Sequence, residues 1–232
     1  MHGSPFHRGW MWETKSENNI TVNGKGMPLN TLSALGRITA YSEDGTFCYT
    51  RGDASSAFQE YVSQYDREIL FIRPSLILVV DNLNARSPSI FNYHLHAVNP
   101  FQLRSQHDFE TENEGGAAQI NLLLPDKLLW SQTNRFTPPI REDDKVVHHH
   151  LTFDTPKPAS TIQFVSLIQP FFSKNRPASF AKPVLTEQNG FYTLRVDLPE
   201  GPCEVLLRKN GFLEKATFQG KTFQRQNAEF SK

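Results

Sequence analysis

Along most of this chain apolar and polar residues alternate with a period of two, the spacing of strands that bury one face. Ile20 and Val22 fall on one side of a short run and Asn19, Thr21 and Asn23 on the other; Asn23-Gly24 then supplies a tight turn. Residues 36–42 and 46–50 alternate on either side of Glu43-Asp44-Gly45, which predicts a hairpin. Residues 66–83 hold two apolar runs around Arg73-Pro74, with adjacent β-branched residues in the second. That pattern predicts two central antiparallel strands buried on both sides. From Ile90 to Val98 the alternation is strict, with Phe91, Tyr93 and Leu95 on one face and Asn92, His94 and His96 on the other.

Further along, the acidic stretch from Phe109 to Gly116 reads as a hairpin tip, and Ala118 to Leu124 as a strand closed by Pro125. Residues 133–145, with Pro138-Pro139 and several charges, mark an exposed loop and the best internal boundary. Strands are predicted over 146–153 and over 161–170, the latter ending at Pro170. Residues 190–198, 203–208 and 212–218 then form a meander separated by Pro-Gly and Asn-Gly turns. One helical turn, Ala54 to Tyr61, is the sole helical expectation. The fold class is therefore all-β, an antiparallel β-sandwich of a dozen or more strands in two large stacked sheets. It divides into an N-terminal aromatic and basic segment, 1–13, and a sandwich domain, 14–232.

Composition narrows the function classes. A chain of 232 residues buries a full core, and 24 Lys and Arg balance 24 Asp and Glu, so no global field draws it to nucleic acid or to an anionic membrane. The longest apolar run, Ser75 to Val80, is far short of a membrane span. Cys48 and Cys203, one in each half on predicted strands, read as two buried thiols rather than a disulfide.

Candidate chemistry gathers in three places. In the segment from Gly3 to Trp12, Pro5 and Gly9 oppose a regular element. Trp10 and Trp12 either stack on sugar rings or lie on one side of an extended segment and cover the sandwich, and Arg8 is suited to pairing with a uronate carboxylate. His7, His94 and His96 are the catalytic candidates. His94 and His96 project from one strand face and are placed to share a zinc ion, although a third ligand is missing nearby. Of His148, His149 and His150, at most two share a side of a strand.

Three stretches, in order, resemble the heparinase II/III-like polysaccharide lyases of bacteria. Thr14 to Met27 is similar to the family's Thr-x-x-His-Asn-x-x-x-Val-x-Gly-x-Gly-Gln segment, with Glu17 in place of His and Met27 in place of Gln. Gly52-Asp53-Ala54-Ser55, followed by Phe58, and the block from Arg67 through Pro74 to Val79-Val80-Asp81-Asn82-Leu83 complete the match. In such lyases a Tyr or His base removes the proton beside a uronate carboxylate and β-elimination follows, with a neutralising group steadying the anion.

The resemblance implies that most of this machinery lies in a helical toroid and a His-x-His-x-Asp segment upstream of the first motif. Met1 sits only a few residues before that motif, so the chain is expected to be the C-terminal sandwich of a longer protein, inactive alone. The resemblance further implies an acidic polysaccharide partner such as alginate or a glycosaminoglycan, with Asn19 joining Arg8, Trp10 and Trp12 as substrate-binding candidates. No cofactor is expected in this chain. A structural zinc is expected in the full-length protein, with Glu17 at a ligand's position, and the location is periplasmic or secreted. The rival classes are a stand-alone carbohydrate-binding module, presenting Trp10, Trp12 or Trp130, and a purely structural sandwich.

Overall fold

The computed structural model describes residues 3–141, 148–177, 180 and 182–228. Seventeen strands form three antiparallel sheets among these residues. The central sheet has eight strands in the order β2 (Arg37–Glu43), β3 (Phe47–Asp53), β4 (Val62–Ile72), β5 (Leu76–Ser89), β12 (Ala159–Phe172), β9 (Gly116–Leu124), β8 (Asp108–Asn113) and β7 (Gln102–Ser105). On one of its faces lies a four-stranded sheet, β1 (Ile20–Val22), β6 (Phe91–Ala97), β11 (His149–Asp154) and β10 (Leu129–Thr133). The other face carries a five-stranded meander: β13 (Val184–Gln188), β14 (Phe191–Leu198), β15 (Gly201–Arg208), β16 (Leu213–Phe218) and β17 (Lys221–Gln224). The all-β antiparallel sandwich thus stands, its layers numbering three.

Period-two alternation in the central strands creates the two cores. Leu70, Ile72, Leu78 and Val80 meet Leu194, Val196, Val205 and Leu207 beneath the meander. Tyr65, Leu83 and Phe164 face the other way, against Ile20, Phe91, Tyr93 and Phe153. Burying apolar side chains at about 1.5–3 kcal/mol each is what holds the layers together. Four of the joining turns follow one rule. Asn23-Gly24, Glu114-Gly115, Asn189-Gly190 and Gln219-Gly220 all have positive φ at both positions, as a two-residue hairpin turn with the right twist requires.

The expected central pair is β4 and β5, with the 37–43 and 47–53 hairpin beside it. Asp44 closes that hairpin by accepting the backbone N–H groups of Thr46 and Phe47. Asp53 accepts the N–H of Ser55 at 2.9 Å and opens the turn over 55–61. Both cysteines are free, Cys203 buried and Cys48 partly so.

Three expectations need correction. Strand β12 passes through Pro170 to Phe172, because beyond Ile168 it pairs with β9 alone and a missing N–H on the other side costs no ladder bond. The acidic stretch 109–116 is mostly strand β8, with only Glu114-Gly115 as its tip. Residues 7–11 form a single helical turn in place of an irregular or extended segment, so Trp10 and Trp12 do not share a side. Phe6 and Trp10, four apart, both set their ring edges against Phe136, at 5.0 and 5.4 Å.

Strands β10 and β11, on either side of the predicted boundary, are paired from Leu129↔Asp154 to Thr133↔His150. Residues 142–145 of that boundary, and residues 146 and 147 of the predicted strand, lie outside the described residues.

Buried polar groups tie the layers. Glu68, 1% exposed, accepts the Tyr49 hydroxyl at 2.6 Å and the Leu213 N–H at 2.9 Å, and burial pushes its carboxyl up to about 7. On the opposite face Arg67 sits across from Asp81 in the β4–β5 register and donates to it at 2.6 and 3.2 Å. Its remaining arm reaches the Asn18 carbonyl at 2.7 Å.

Arg67→Met leaves the fully buried Asp81 carboxylate without its partner and is expected to cost about 3–5 kcal/mol in urea denaturation. The double change Arg67→Met with Asp81→Leu should recover more than half of that loss. A cost below about 1 kcal/mol for the single change would show that the pair does not organise the fold.

Candidate functional site

The outer face of the four-stranded sheet carries a layer of histidines. Alternation in β6 turns Phe91, Tyr93 and Leu95 into the core, which leaves His94 and His96 on the outside. Strand β11 pairs with β6 so that His150 lies opposite His96, and Leu151 and Phe153 turn inward in the same way. His148 and His150 therefore join His96 on one surface. Ring centroids are 5.0 Å apart for His96–His148 and His96–His150 and 5.1 Å for His148–His150, with His94 at 6.5 Å from His96.

The N-terminal segment covers this layer. Trp10 lies 4.5 Å and Phe136 4.9 Å from the His150 ring, and Lys15 stands 5.4 Å above the Trp10 ring. Beside them opens a recess of about 340 Å³, lined by Phe6, Trp10, Met11, Glu17, Phe136 and His148. Glu17 is exposed at this recess, and its carboxylate favours the charged form of His148.

The segment 14–27 is held in place residue by residue. Gly24 supplies the positive φ of its turn. Gly26 allows a close approach, since a Cβ there would lie 2.1 Å from the Thr14 hydroxyl. That hydroxyl accepts the Met27 N–H at 2.9 Å. Asn18 accepts the His96 N–H at 2.8 Å through its side chain, and Asn19 accepts the Tyr65 hydroxyl at 2.8 Å and the Ile20 N–H at 2.8 Å.

Burial decides the protonation of the histidines. It holds His96 down to about 3, helped by the imidazoles of His150, His148 and His94, and it holds His150 down to about 4, helped by His148 and His149. His94 is held at about 4, chiefly by burial and secondly by Lys15, against the opposing pull of Asp154. Its ring nitrogens lie 2.9 Å from the Thr21 hydroxyl and 3.3 Å from that of Thr152. All three are neutral at pH 7, yet so weakly basic that proton abstraction from a carbon acid gains little driving force from them.

The structure thus brings together four sequence candidates, Trp10, Glu17, His94 and His96. His7 is elsewhere on the turn, in edge contact with Trp12 at 5.0 Å. Arg8 and Trp12 are exposed there, Trp12 at 42%, and Asn19 spends its side-chain oxygen within the fold. His148 and His150 were readable only as a same-side pair; the signal that joins them to His96 is a histidine at i and i+2 on each of two alternating strands. Among the described residues no three His, Cys, Asp or Glu side chains are placed to hold a metal ion together, so the zinc implied by the resemblance has no complete ligand set here.

No family model and no curated protein matches the sequence. Solved structures do. Heparan sulfate lyase HepC from Pedobacter heparinus superposes with a TM-score of 0.65 at 16% identity, over 87% of this chain and 31% of that one. A heparinase III, the BT4657 gene product, gives 0.66 at 12% identity, over 90% and 33%. Another structure of heparinase III gives 0.65 at 10%, over 88% and 31%. The fold is that of a heparinase-type β-sandwich. This heparinase-type sandwich spans about a third of the length of the lyases that it matches.

His150 is 4% exposed and neither ring nitrogen has a partner. Its folded value, about 4, lies below the unfolded 6.5, so its contribution to stability is present above pH 6.5 and lost as pH falls through 4. His150→Phe is therefore expected to flatten the fall in melting temperature between pH 6.5 and 4 while leaving stability at pH 7.5 equal or higher. An unchanged acid profile in thermal scans would exclude His150 from this role.

Proposed function

We propose that this chain is the C-terminal β-sandwich of a heparinase II/III-like polysaccharide lyase that cleaves a uronate-containing polysaccharide by β-elimination, with the catalytic toroid upstream. The observation that carries the reading is coverage: 87–90% of this chain is matched by about a third of each of three heparinase-type structures. The order of the three family-like stretches supports the same reading: Arg67 of the third holds Asn18 of the first, and Tyr65, hydrogen-bonded to Asn19 of the first, donates its backbone N–H to Ser55 of the second.

The weak basicity of His94, His96 and His150 fits a division of labour in which the proton-abstracting base comes from the upstream half. In this arrangement Arg8 and Trp12, exposed on the N-terminal turn, meet the acidic glycan, and Glu17 faces the upstream domain. Alginate and the glycosaminoglycans are the substrate classes, and the periplasm or cell exterior is where such a polymer is met.

The test is ultraviolet absorbance of the unsaturated product on heparan sulfate, hyaluronan and alginate, with this chain beside a version extended upstream through the helical domain. Turnover only in the longer protein is the expected result. Turnover by residues 1–232 alone would overturn the division of labour and make His7, His94 and His96 the first catalytic residues to change.

A further inference from the structure

On the face of the central sheet opposite the histidine layer, the core beneath the meander is built from β2, β3, β4, β5 and β12 together with strands of the meander itself. Strands β8 and β9 extend beyond it, and the alternation that sends Phe109 and Ile120 inward turns two polar cross-strand pairs outward, Glu110 opposite Gln119 and Asp108 opposite Asn121. These pairs are not left on an open surface. Arg176, Phe180 and Lys182, which follow β12 in the chain, and Arg104 from β7 line a cleft of about 340 Å³ over them.

The floor of the cleft is deeply buried and incompletely satisfied. Glu110, 4% exposed, is fully engaged: Arg176 grips both of its oxygens and Arg104 donates at 3.2 Å. These guanidinium groups, Arg176 first, hold its carboxyl below the usual range. Asn121 donates to Asp108. The side-chain oxygens of Gln119 and Asn121, 9% and 3% exposed, have no hydrogen-bond partner, and each such buried acceptor costs about 1–3 kcal/mol. Acceptors left open in this way call for a donor from outside the chain, an ordered water or a ligand.

The chemistry of that donor can be read from the walls. Two unpartnered acceptors ask for hydroxyl groups. Arg104 and Arg176 are engaged by Glu110, with Glu112 also acting on Arg176, and Lys182 is a further cation in the lining that can meet an anion. Phe180, which carries the Arg176 guanidinium over its ring at 5.6 Å and packs on Phe171 at 5.0 Å, adds an aromatic wall beside which the apolar edge of a sugar ring can lie. We infer that this cleft binds an acidic sugar residue, a uronate or a sulfated unit, as a second glycan site on the opposite side of the central sheet from the Trp10 recess. The inference rests on the proposed action on acidic polysaccharide and adds a place where the polymer is held without being cut.

Isothermal titration of the chain with a heparin-derived disaccharide tests it, with cellobiose as the neutral sugar and sodium sulfate as the free anion. Binding of the disaccharide alone is expected, weakened about tenfold or more by Gln119→Leu and by Lys182→Ala. Melting temperature should be unchanged for Lys182→Ala and equal or higher for Gln119→Leu, which removes an unpartnered acceptor. Sulfate that binds as well as the disaccharide would reduce the cleft to an anion site and overturn the sugar assignment. Disaccharide binding that survives both cleft changes but is lost with Trp12→Ala would place the glycan at the N-terminal turn; this inference falls and the lyase reading stands. Absence of binding here, together with turnover in the longer protein, sinks the cleft alone, whereas absence of both sinks the lyase reading as well.

Discussion

The buried pair between Arg67 and Asp81 is the interaction on which the arrangement of this sandwich depends. It fixes the register of the two central strands at a point where Asp81 is wholly removed from water, and a slip of one residue would leave that charge unpaired. The same guanidinium accepts no substitute in its second task, which is to hold the Asn18 carbonyl. Through Asn18 and the neighbouring Asn19 the segment 14–27 is drawn onto Tyr65 and onto the backbone of His96. The N-terminal turn, with Trp10, follows from that placement and closes over the histidines. A single ion pair in the core thereby determines what covers the outer face.

The stretches that resemble lyase sequences turn out to do structural work. Gly24 makes a turn, Gly26 lets Thr14 approach, Asp53 opens the turn after β3, and Arg67 with Asp81 locks the central strands. Such residues mark a fold, which is why the likeness to heparinase-type structures reaches almost the whole chain while sequence identity stays at 10–16%. The functional reading rests instead on the match to about a third of each of those longer proteins.

The two polar regions of the molecule differ in kind. Beneath Trp10 and Phe136 lies a crowd of neutral imidazoles, kept uncharged by burial and by one another, with Glu17 at the edge. Beyond the meander lies a charged cleft in which guanidinium groups and carboxylates neutralise each other around two unpartnered amide oxygens. Burial in the first removes charge; in the second it concentrates charge and leaves acceptors waiting. The same sheet-building alternation produced both, by sending every second residue away from a core.

Much of the fold was legible because strands and tight turns are local. Period two identified β4, β5, β6, β14, β15 and β16, with Arg73-Pro74, the stretch from Pro199 to Pro202 and Asn210-Gly211 marking the turns between the paired ones. Edge strands β7, β10, β13 and β17 lie outside the predicted runs, being short and largely exposed, so no alternation distinguishes them. The helical turn at 7–11 is not legible locally, because Pro5 and Gly9 oppose a helix and what holds the turn is the packing of Phe6 and Trp10 on the distant Phe136. The candidate site was legible only in parts. The sequence by itself determined which histidines share a strand face, since that depends on neighbours two residues away. Only the tertiary structure decided that His96 and His150 stand side by side, that Trp10 covers them, and that Gln119 and Asn121 lie unpartnered under Arg176. Pairing between distant strands is settled by the packing of whole layers and by the buried Arg67–Asp81 pair, and no local pattern encodes it.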